Sequence, residues 1–454
     1  MVSILDGAVA AYNAAWFATN AYNLSALLRR KGQDGDNPTK EQLERFKAEN
    51  TGRMPMISIL LPAYREERVL CECIAAIERM DYPKESFEVL VMLEKEDTPT
   101  RALADSSAKL HNNIRPIVVS PRNDATKGKP HALNEGLKVA KGSIVGVVDA
   151  EDIVERDLLL TAAYMITEKG HDAVQGVLDM ANDRDGWKNL MQRAEYGYWF
   201  RRYLGALARA KYPVPFGGTT NFFRKSLLEE LGGWDARNLT EDFELGMRIF
   251  NRSAKAKGSK GNDDALRPRR DAAVSVATIS STTIEESPTT LGAWLRQRTR
   301  WEQGKIQTLK KNLKDPPQGA THKIHTFFAT MQPHMAAVNI TGIGVSIYAF
   351  VEKGISIPVE AIASFNMAMI GFYAAMNAVG YLTATKEEKE TVRFRGAKAA
   401  ISAITLPAYW AMQWAADLRA MKLEYTGSRA WEKTDHFGRH FQNDQTQQER
   451  RPAK

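Results

Sequence analysis

Ser143-Ile144-Val145-Gly146-Val147-Val148 runs without a break into Asp149-Ala150-Glu151-Asp152. A short, continuously apolar run rich in β-branched residues reads as a strand buried on both faces. Working outward, Met56-Ile57-Ser58-Ile59-Leu60-Leu61-Pro62, Phe87-Glu88-Val89-Leu90-Val91-Met92-Leu93 and Arg115-Pro116-Ile117-Val118-Val119 repeat the pattern. Helix-compatible segments lie between them, over residues 67–80 and after Gly128-Lys129-Pro130-His131-Ala132-Leu133-Asn134. Short apolar strands alternating with helices predict an α/β domain with a mainly parallel sheet. Ligands of such sheets gather beyond the carboxyl ends of the strands. Tyr64, Glu66, Glu94, Asp97, Asp149, Glu151 and Asp152 all fall there.

Asp149, Glu151 and Asp152 repel one another unless a cation sits among them. Hard oxygen donors select Mg²⁺ or Mn²⁺, and a phosphorylated substrate can complete the shell. The competing reading is a solvated acidic turn, which is uncommon directly after a buried strand. Further on, Pro215-Phe216-Gly217-Gly218-Thr219-Thr220-Asn221-Phe222-Phe223-Arg224 follows an aromatic-rich helical stretch, residues 187–212. Its paired glycines permit close backbone approach to a ligand. Thr240-Glu241-Asp242 reads as a helix start, Thr followed by acids in the first turn. That cap is compatible with a catalytic carboxylate held at the helix end. Residues 251–271 are polar and basic, a surface insertion, and 273–280 read as another strand.

Within Leu295-Arg296-Gln297-Arg298-Thr299-Arg300-Trp301-Glu302-Gln303-Gly304, Gln297–Trp301 lies in a helix-compatible run that is free of Gly and Pro from residue 293 to 303. At helical spacing Gln297, Arg300 and Trp301 share one face. A guanidinium grips phosphate oxygens in a bidentate way, and an indole offers a flat face for a sugar ring. The bland alternative is an Arg-rich solvated helix with a buried Trp.

The 454 residues suffice for one large domain or two modest ones, with 44% apolar content. The two cysteines, Cys71 and Cys73, point to different faces of a helix, so no disulfide is expected. A net charge of +8 suits anionic lipid or a phosphorylated substrate. With no zinc-type Cys/His spacing and no basic stripe interleaved with aromatics, nucleic acid is not an expected partner. Residues 7–28 are weakly apolar and precede Arg29-Arg30-Lys31, an order that suits a membrane anchor with a cytoplasmic flank. Residues 327–351, 355–383 and 397–421 approach the ~20 residues that a bilayer needs. Asn, His, Glu and Asp interrupt all of them, and mean hydropathy is only −0.38. The expectation is a multi-pass inner-membrane protein with a cytoplasmic catalytic domain; the alternative is a soluble helical bundle.

The ordered series Pro62-Ala63-Tyr64-Arg65-Glu66, Leu93-Glu94-Lys95-Glu96-Asp97, the Lys129 and Asp149 motifs, Gly217-Gly218-Thr219-Thr220-Asn221, Thr240-Glu241-Asp242 and Gln297–Trp301 resembles family 2 glycosyltransferases. The resemblance is to the cellulose-synthase-like, processive kind. Glu285-Glu286-Ser287-Pro288 and the tail Trp431-Glu432-Lys433-Thr434-Asp435-His436 are similar to bacterial exopolysaccharide and cell-wall synthases. The resemblance implies a GT-A domain over residues 53–314, after an N-terminal helix and linker (1–52). A helical region (315–425) and a polar tail (426–454) follow it. It implies inverting transfer from a nucleotide-diphosphate sugar, UDP-linked by expectation, to a polysaccharide end. Tyr64 and Glu66 would frame the nucleotide, Glu94 would stand where the family has a base-reading Asp, and Lys129 would meet the diphosphate. Asp149 and Glu151 match the metal-binding D-x-D, with Glu in place of the second Asp, which leaves Asp152 as a rival ligand. Asp242, beside Glu241, would be the general base. Gln297, Arg300 and Trp301 would hold the pyrophosphate and the acceptor sugar. A single-transfer enzyme acting on a lipid or other acceptor, and a catalytically idle membrane receptor, are the alternatives.

Overall fold

The computed structural model describes residues 4–28, 37–119, 128–255, 274–331, 334–351, 357–384, 391–427 and 438. The basic flank Arg29-Arg30-Lys31, most of the expected insertion and the Trp431–His436 tail lie outside the described residues.

Among the described residues, eight strands form one sheet: β1 (Ile57–Ala63), β2 (Phe87–Leu93), β3 (Ile114–Val118), β4 (Ile144–Val147), β5 (Ile153–Val154), β6 (Ala173–Met180), β7 (Asn221–Arg224) and β8 (Val276–Glu285). Their order is β3-β2-β1-β4-β7-β6-β8-β5. The pairs β1–β2, β1–β4, β2–β3 and β6–β8 are parallel. The centrally placed β7 runs antiparallel to both β4 and β6. Ile57 lies opposite Phe87 on one side and Ile144 on the other, so β1, β2 and β4 start level; β1 and β2 end together at Ala63 and Leu93, and β4 ends opposite Leu60. All seven residues of β2 are buried, as a strand covered on both faces requires. Helices Leu70–Glu78 and Leu158–Thr167 cover one face, and Lys129–Val139 packs on the other.

Two departures from the expected elements have local causes. β8 runs on to Glu285, well past residue 280, because it pairs with β6 through a bulge and then with β5. Its polar residues Ser281, Thr282 and Thr283 are buried in that pairing. β6 carries buried Gln175 and Asp179, which break the apolar run that marks a strand in sequence.

The expectation of membrane-crossing helices is not borne out: among the described residues, no helix is both long and apolar enough to cross a membrane. Residues 327–351 are shared between helices Ala320–Met331 and Met335–Val351. Residues 397–421 break at Thr405 into Val392–Ile404 and Leu406–Tyr425, with Pro407 in the first turn of the second. The polar residues of these helices tie them to one another. Trp16 Nε1 donates to Asn339 Oδ1 (2.9 Å), Asn20 Nδ2 to Asn366 Oδ1 (3.2 Å), and Tyr373 OH to Asn20 Oδ1 (3.0 Å). The bundle joins the sheet domain through helix Trp187–Tyr198, which crosses helix Ile357–Thr383 backbone to backbone. A Cβ at Gly197 would sit 2.1 Å from Gly380 O, so only glycine permits that approach.

Candidate functional site

β1, β2 and β4 all open on one cavity of about 1380 Å³. Tyr64 and Glu66 follow β1, Glu94 follows β2, and Asp149 and Glu151 follow β4; all five line it. The loop after β1 is strained: Arg65 has φ 57°, a left-handed conformation uncommon outside glycine. Asp97 holds that turn, accepting from Arg65 N (2.5 Å) while capping helix Thr98–Leu110 at Thr100 N (3.4 Å). Thr100 Oγ1 in turn accepts from Glu66 N at 3.0 Å. Asp97, grouped by sequence with the other strand-end acids, is a buried latch for the Tyr64–Glu66 loop.

Lys129 opens helix Lys129–Val139, and its ammonium donates to Asp149 Oδ1 (2.5 Å) and Gly218 O (2.6 Å). Burial pulls its pKa down, but Asp149, Glu241 and Asp242 outweigh that and hold it above its ordinary value. A Cβ at Gly218 would meet Lys129 Nζ at 3.4 Å and Asp242 Oδ2 at 3.5 Å. The glycine therefore sits between the cation and the carboxylate and leaves both accessible.

The three acids after β4 separate into two environments. Asp149 and Glu151 stand on the cavity wall. Asp152 is fully buried, where its Oδ2 accepts from Asp149 N (2.9 Å) and from Thr219 Oγ1 (2.5 Å). Burial, then Glu285, Asp149 and Glu151, push the Asp152 carboxyl well above the usual range. Asp152 thus shapes the turn and holds Asp149 from behind, whereas Asp149 and Glu151 offer hard oxygen donors to the cavity. That donor set fits Mg²⁺ or Mn²⁺.

Glu241 and Asp242 open helix Glu241–Lys255 and line the same cavity. Thr240 does not cap it as expected: its hydroxyl donates to Asn238 Oδ1 (3.3 Å). Asp242 Oδ1 accepts from Phe243 N at 2.8 Å. Burial first, and then the neighbouring Asp242 charge, push Glu241 up to about 7. Burial also raises Asp242, against the Phe243 N–H and the Lys129 charge.

Gln297, Arg300 and Trp301 do share a cavity-facing side of helix Leu291–Lys314. Burial holds Arg300 below its ordinary pKa, against the pull of Glu241, Asp242 and Asp149. The residue that the sequence reading passed over is Arg298. It donates to Glu195 through two parallel bonds (2.7 and 2.6 Å) and to Tyr409 OH (3.2 Å), with its guanidinium 4.7 Å from the Trp301 ring centroid. A second Arg inside the motif was the only local signal, since its partners lie 103 and 111 residues away. Tyr198, Trp199 and Phe200 also reach the cavity where a π-turn, Trp199–Tyr203, interrupts the helix. Beyond Trp301 the cavity continues between helices of the bundle, past Asn339, Tyr373, Asn377, Trp410 and Gln413.

The family model described as "Glycosyltransferase like family 2" matches residues 55–304. The chain belongs to that family. Relatives of this family 2 chain include a "Probable glycosyltransferase YdaM" of Bacillus subtilis (strain 168), 29% identical over 58% of this chain and 59% of that protein. A "Beta-monoglucosyldiacylglycerol synthase" of Trichormus variabilis is 27% identical over 58% of this chain and 51% of that protein. A "Poly-beta-1,6-N-acetyl-D-glucosamine synthase" of Staphylococcus aureus (strain COL) is 24% identical over 58% of each. The chain thus spans just over half the length of these curated relatives. Among solved structures, "Mannosyltransferase PcManGT from Pyrobaculum calidifontis in complex with GDP-Man and Mn2+" aligns over 91% of this chain and 99% of that one, at TM-score 0.55 and 20% identity. That likeness shows a shared GT-A-like fold.

Proposed function

We propose that this family 2 chain transfers a sugar, with inversion, from a nucleotide-diphosphate sugar to the hydroxyl end of a growing glycan. The observation that carries the reading is the continuity of the cavity. It runs from the strand-end ledge of Tyr64, Glu66 and Glu94, past Lys129 and Asp242, to Trp301 and on between the bundle helices. Small-ligand pockets measure about 300–1,000 Å³; at about 1380 Å³ this one has room beyond a single nucleotide sugar. Hydroxyl-matching groups and aromatic faces along the far part suit a sugar chain better than a bare apolar tail.

In this reading the nucleotide lies on the strand-end ledge, and Lys129 with Arg300 supports the diphosphate. Asp149 and Glu151 would hold the Mg²⁺ or Mn²⁺, which neutralises charge on the departing diphosphate. Asp242 accepts the proton of the acceptor hydroxyl as its oxygen attacks the anomeric carbon from the face opposite the diphosphate. The bond from that carbon to the diphosphate oxygen breaks, and the leaving charge moves toward two fixed cations. Burial raises the basicity of Asp242, and Glu241 stands beside it in the first turn of the same helix. Trp301, backed by Arg298, offers its ring to the acceptor sugar.

Incubation with a panel of radiolabelled nucleotide sugars, the products sized by chromatography, tests the proposal. A ladder of lengthening glycan is the expected result. Addition of one sugar to a diacylglycerol acceptor would instead favour a single-transfer enzyme, the activity named for the Trichormus relative. Absence of transfer from every donor would leave the idle-receptor reading. Membrane attachment is proposed on a separate observation. Val392, Phe394, Ile401, Ile404, Leu418 and Tyr425 expose apolar side chains on the last two helices, and exposed apolar groups suit a lipid surface. Flotation with anionic liposomes tests it.

A further inference from the structure

Immediately after Trp301, Glu302 meets two residues of the C-terminal bundle, His334 and Asp417. One donor atom from each of the three lies within 4.8 Å of the others. All are more than nine-tenths buried, at 7%, 7% and 1% exposure. His334 Nδ1 lies 3.2 Å from Asp417 Oδ1, and Glu302 Oε1 accepts from Lys305 Nζ at 2.9 Å. The second oxygens, Glu302 Oε2 and Asp417 Oδ2, accept no hydrogen bond among the described residues. Buried carboxylate oxygens without a partner are costly, and two in one cluster point to a missing cation.

We infer that Glu302, His334 and Asp417 form a divalent-cation site separate from Asp149 and Glu151. With His334 neutral, as a metal ligand must be, two carboxylates against one lysine leave one excess negative charge, which a dication more than offsets while supplying a partner for both orphaned oxygens. One imidazole with two carboxylates suits Zn²⁺, or Mn²⁺ in second place, better than Mg²⁺, which keeps its waters. Zinc donors at ~2.0–2.2 Å from the metal stand ~3.4 Å apart in a tetrahedron. His334 Nδ1 and Asp417 Oδ1 already stand 3.2 Å apart, so loading only has to close the wider separations, which are within 4.8 Å, by roughly 1 Å. Three protein donors leave a fourth position for water, reachable from the large cavity that Glu302 and Lys305 also line. The ion pins the helix of Gln297, Arg300 and Trp301 to two helices of the bundle. It is a structural clamp on the acceptor platform, and it holds whether or not the transfer reading above is right.

The test is metal content. Tag-free full-length protein is stripped with EDTA, loaded with Zn²⁺, desalted and analysed by mass spectrometry beside its melting temperature. About one equivalent of zinc, lost in His334→Ala, with a melting-temperature rise of several degrees confined to the wild type, is expected. Equal retention in wild type and His334→Ala, or no retention in wild type, overturns the site and leaves two hydrogen-bonded pairs, Glu302–Lys305 and His334–Asp417. If His334→Ala does not fold, cobalt(II) titration of the wild type decides. Intense visible bands of a low-coordinate ion support the site, and the weak spectrum of hydrated cobalt overturns it.

Discussion

Lys129 Nζ lies 2.5 Å from Asp149 Oδ1, joining the first turn of one helix to the end of the central strand β4. The same ammonium reaches Gly218 O at 2.6 Å. Three segments thus converge on one cation. In the proposed mechanism the ammonium that faces Asp149 also supports the leaving diphosphate.

Lys129→Met should therefore lower kcat/KM for the donor by about 100-fold or more. The loss should fall on kcat as well as KM, because the contact strengthens as charge develops on the diphosphate. Initial rates across donor concentrations check it, and an unchanged kcat would remove Lys129 from the transition state.

Glu151→Ala and Asp152→Asn should part company. Glu151 lines the cavity, so its loss should weaken Mn²⁺ activation, read as a higher Mn²⁺ concentration for half-maximal rate. Asp152 accepts from Asp149 N and Thr219 Oγ1 in a buried turn, so its loss should lower the melting temperature first. EDTA should abolish transfer in the wild type, and either Mg²⁺ or Mn²⁺ should restore it.

Trp301→Ala should suppress glycan elongation more than donor hydrolysis, since water needs no platform. Arg298→Ala should reproduce that pattern and lower the melting temperature as well, because it removes the charged partner of Glu195 and leaves it the Tyr409 OH and Gln413 Nε2 donors. Both activities and the melting temperature, measured together, separate the two. Equal loss of both activities in a fully folded Trp301→Ala protein would defeat the platform role.

The ends of β2 and β4 were readable because each is an apolar run stopped by charge, at Glu94 and Asp149, and family motifs sit on those stops. Residue type alone could not assign Asp149, Glu151 and Asp152. Burial sorts them, and Thr219, 67 residues further on, fixes Asp152. Arg298 and Glu195 meet across 103 residues, beyond any local pattern. β6 escaped because Gln175 and Asp179 interrupt it. Both are satisfied inside, Gln175 Nε2 donating to Thr219 O (3.1 Å) and Asp179 pairing with Arg193 (3.2 Å). Stretches of the bundle helices read as near-spanning because hydropathy does not show where a helix breaks, as at Thr405. The asparagines that dilute their apolar character are the groups that bond them together.

The pH response of stability carries its own sign. Glu241 is raised from 4.5 to about 7, by burial first and then Asp242. Between those values the folded state binds more protons than the unfolded one, so this group's contribution is present at pH 4.5 and is lost as pH rises through about 7. In Glu241→Gln the melting temperature should fall less steeply with pH over that window than in the wild type. Parallel profiles would show that Glu241 titrates alike in both states.

The base assignment carries the mechanism, and one variant tests it directly. Asp242→Asn keeps the shape of the side chain beside Gly218 and the acceptor for Phe243 N, but it removes the group that takes the proton. Steady-state transfer from the preferred nucleotide sugar should fall at least ~1,000-fold, while calorimetry shows donor affinity within a few-fold of wild type. Turnover retained within about tenfold of wild type, with donor affinity intact, would contradict the assignment of Asp242 as the base.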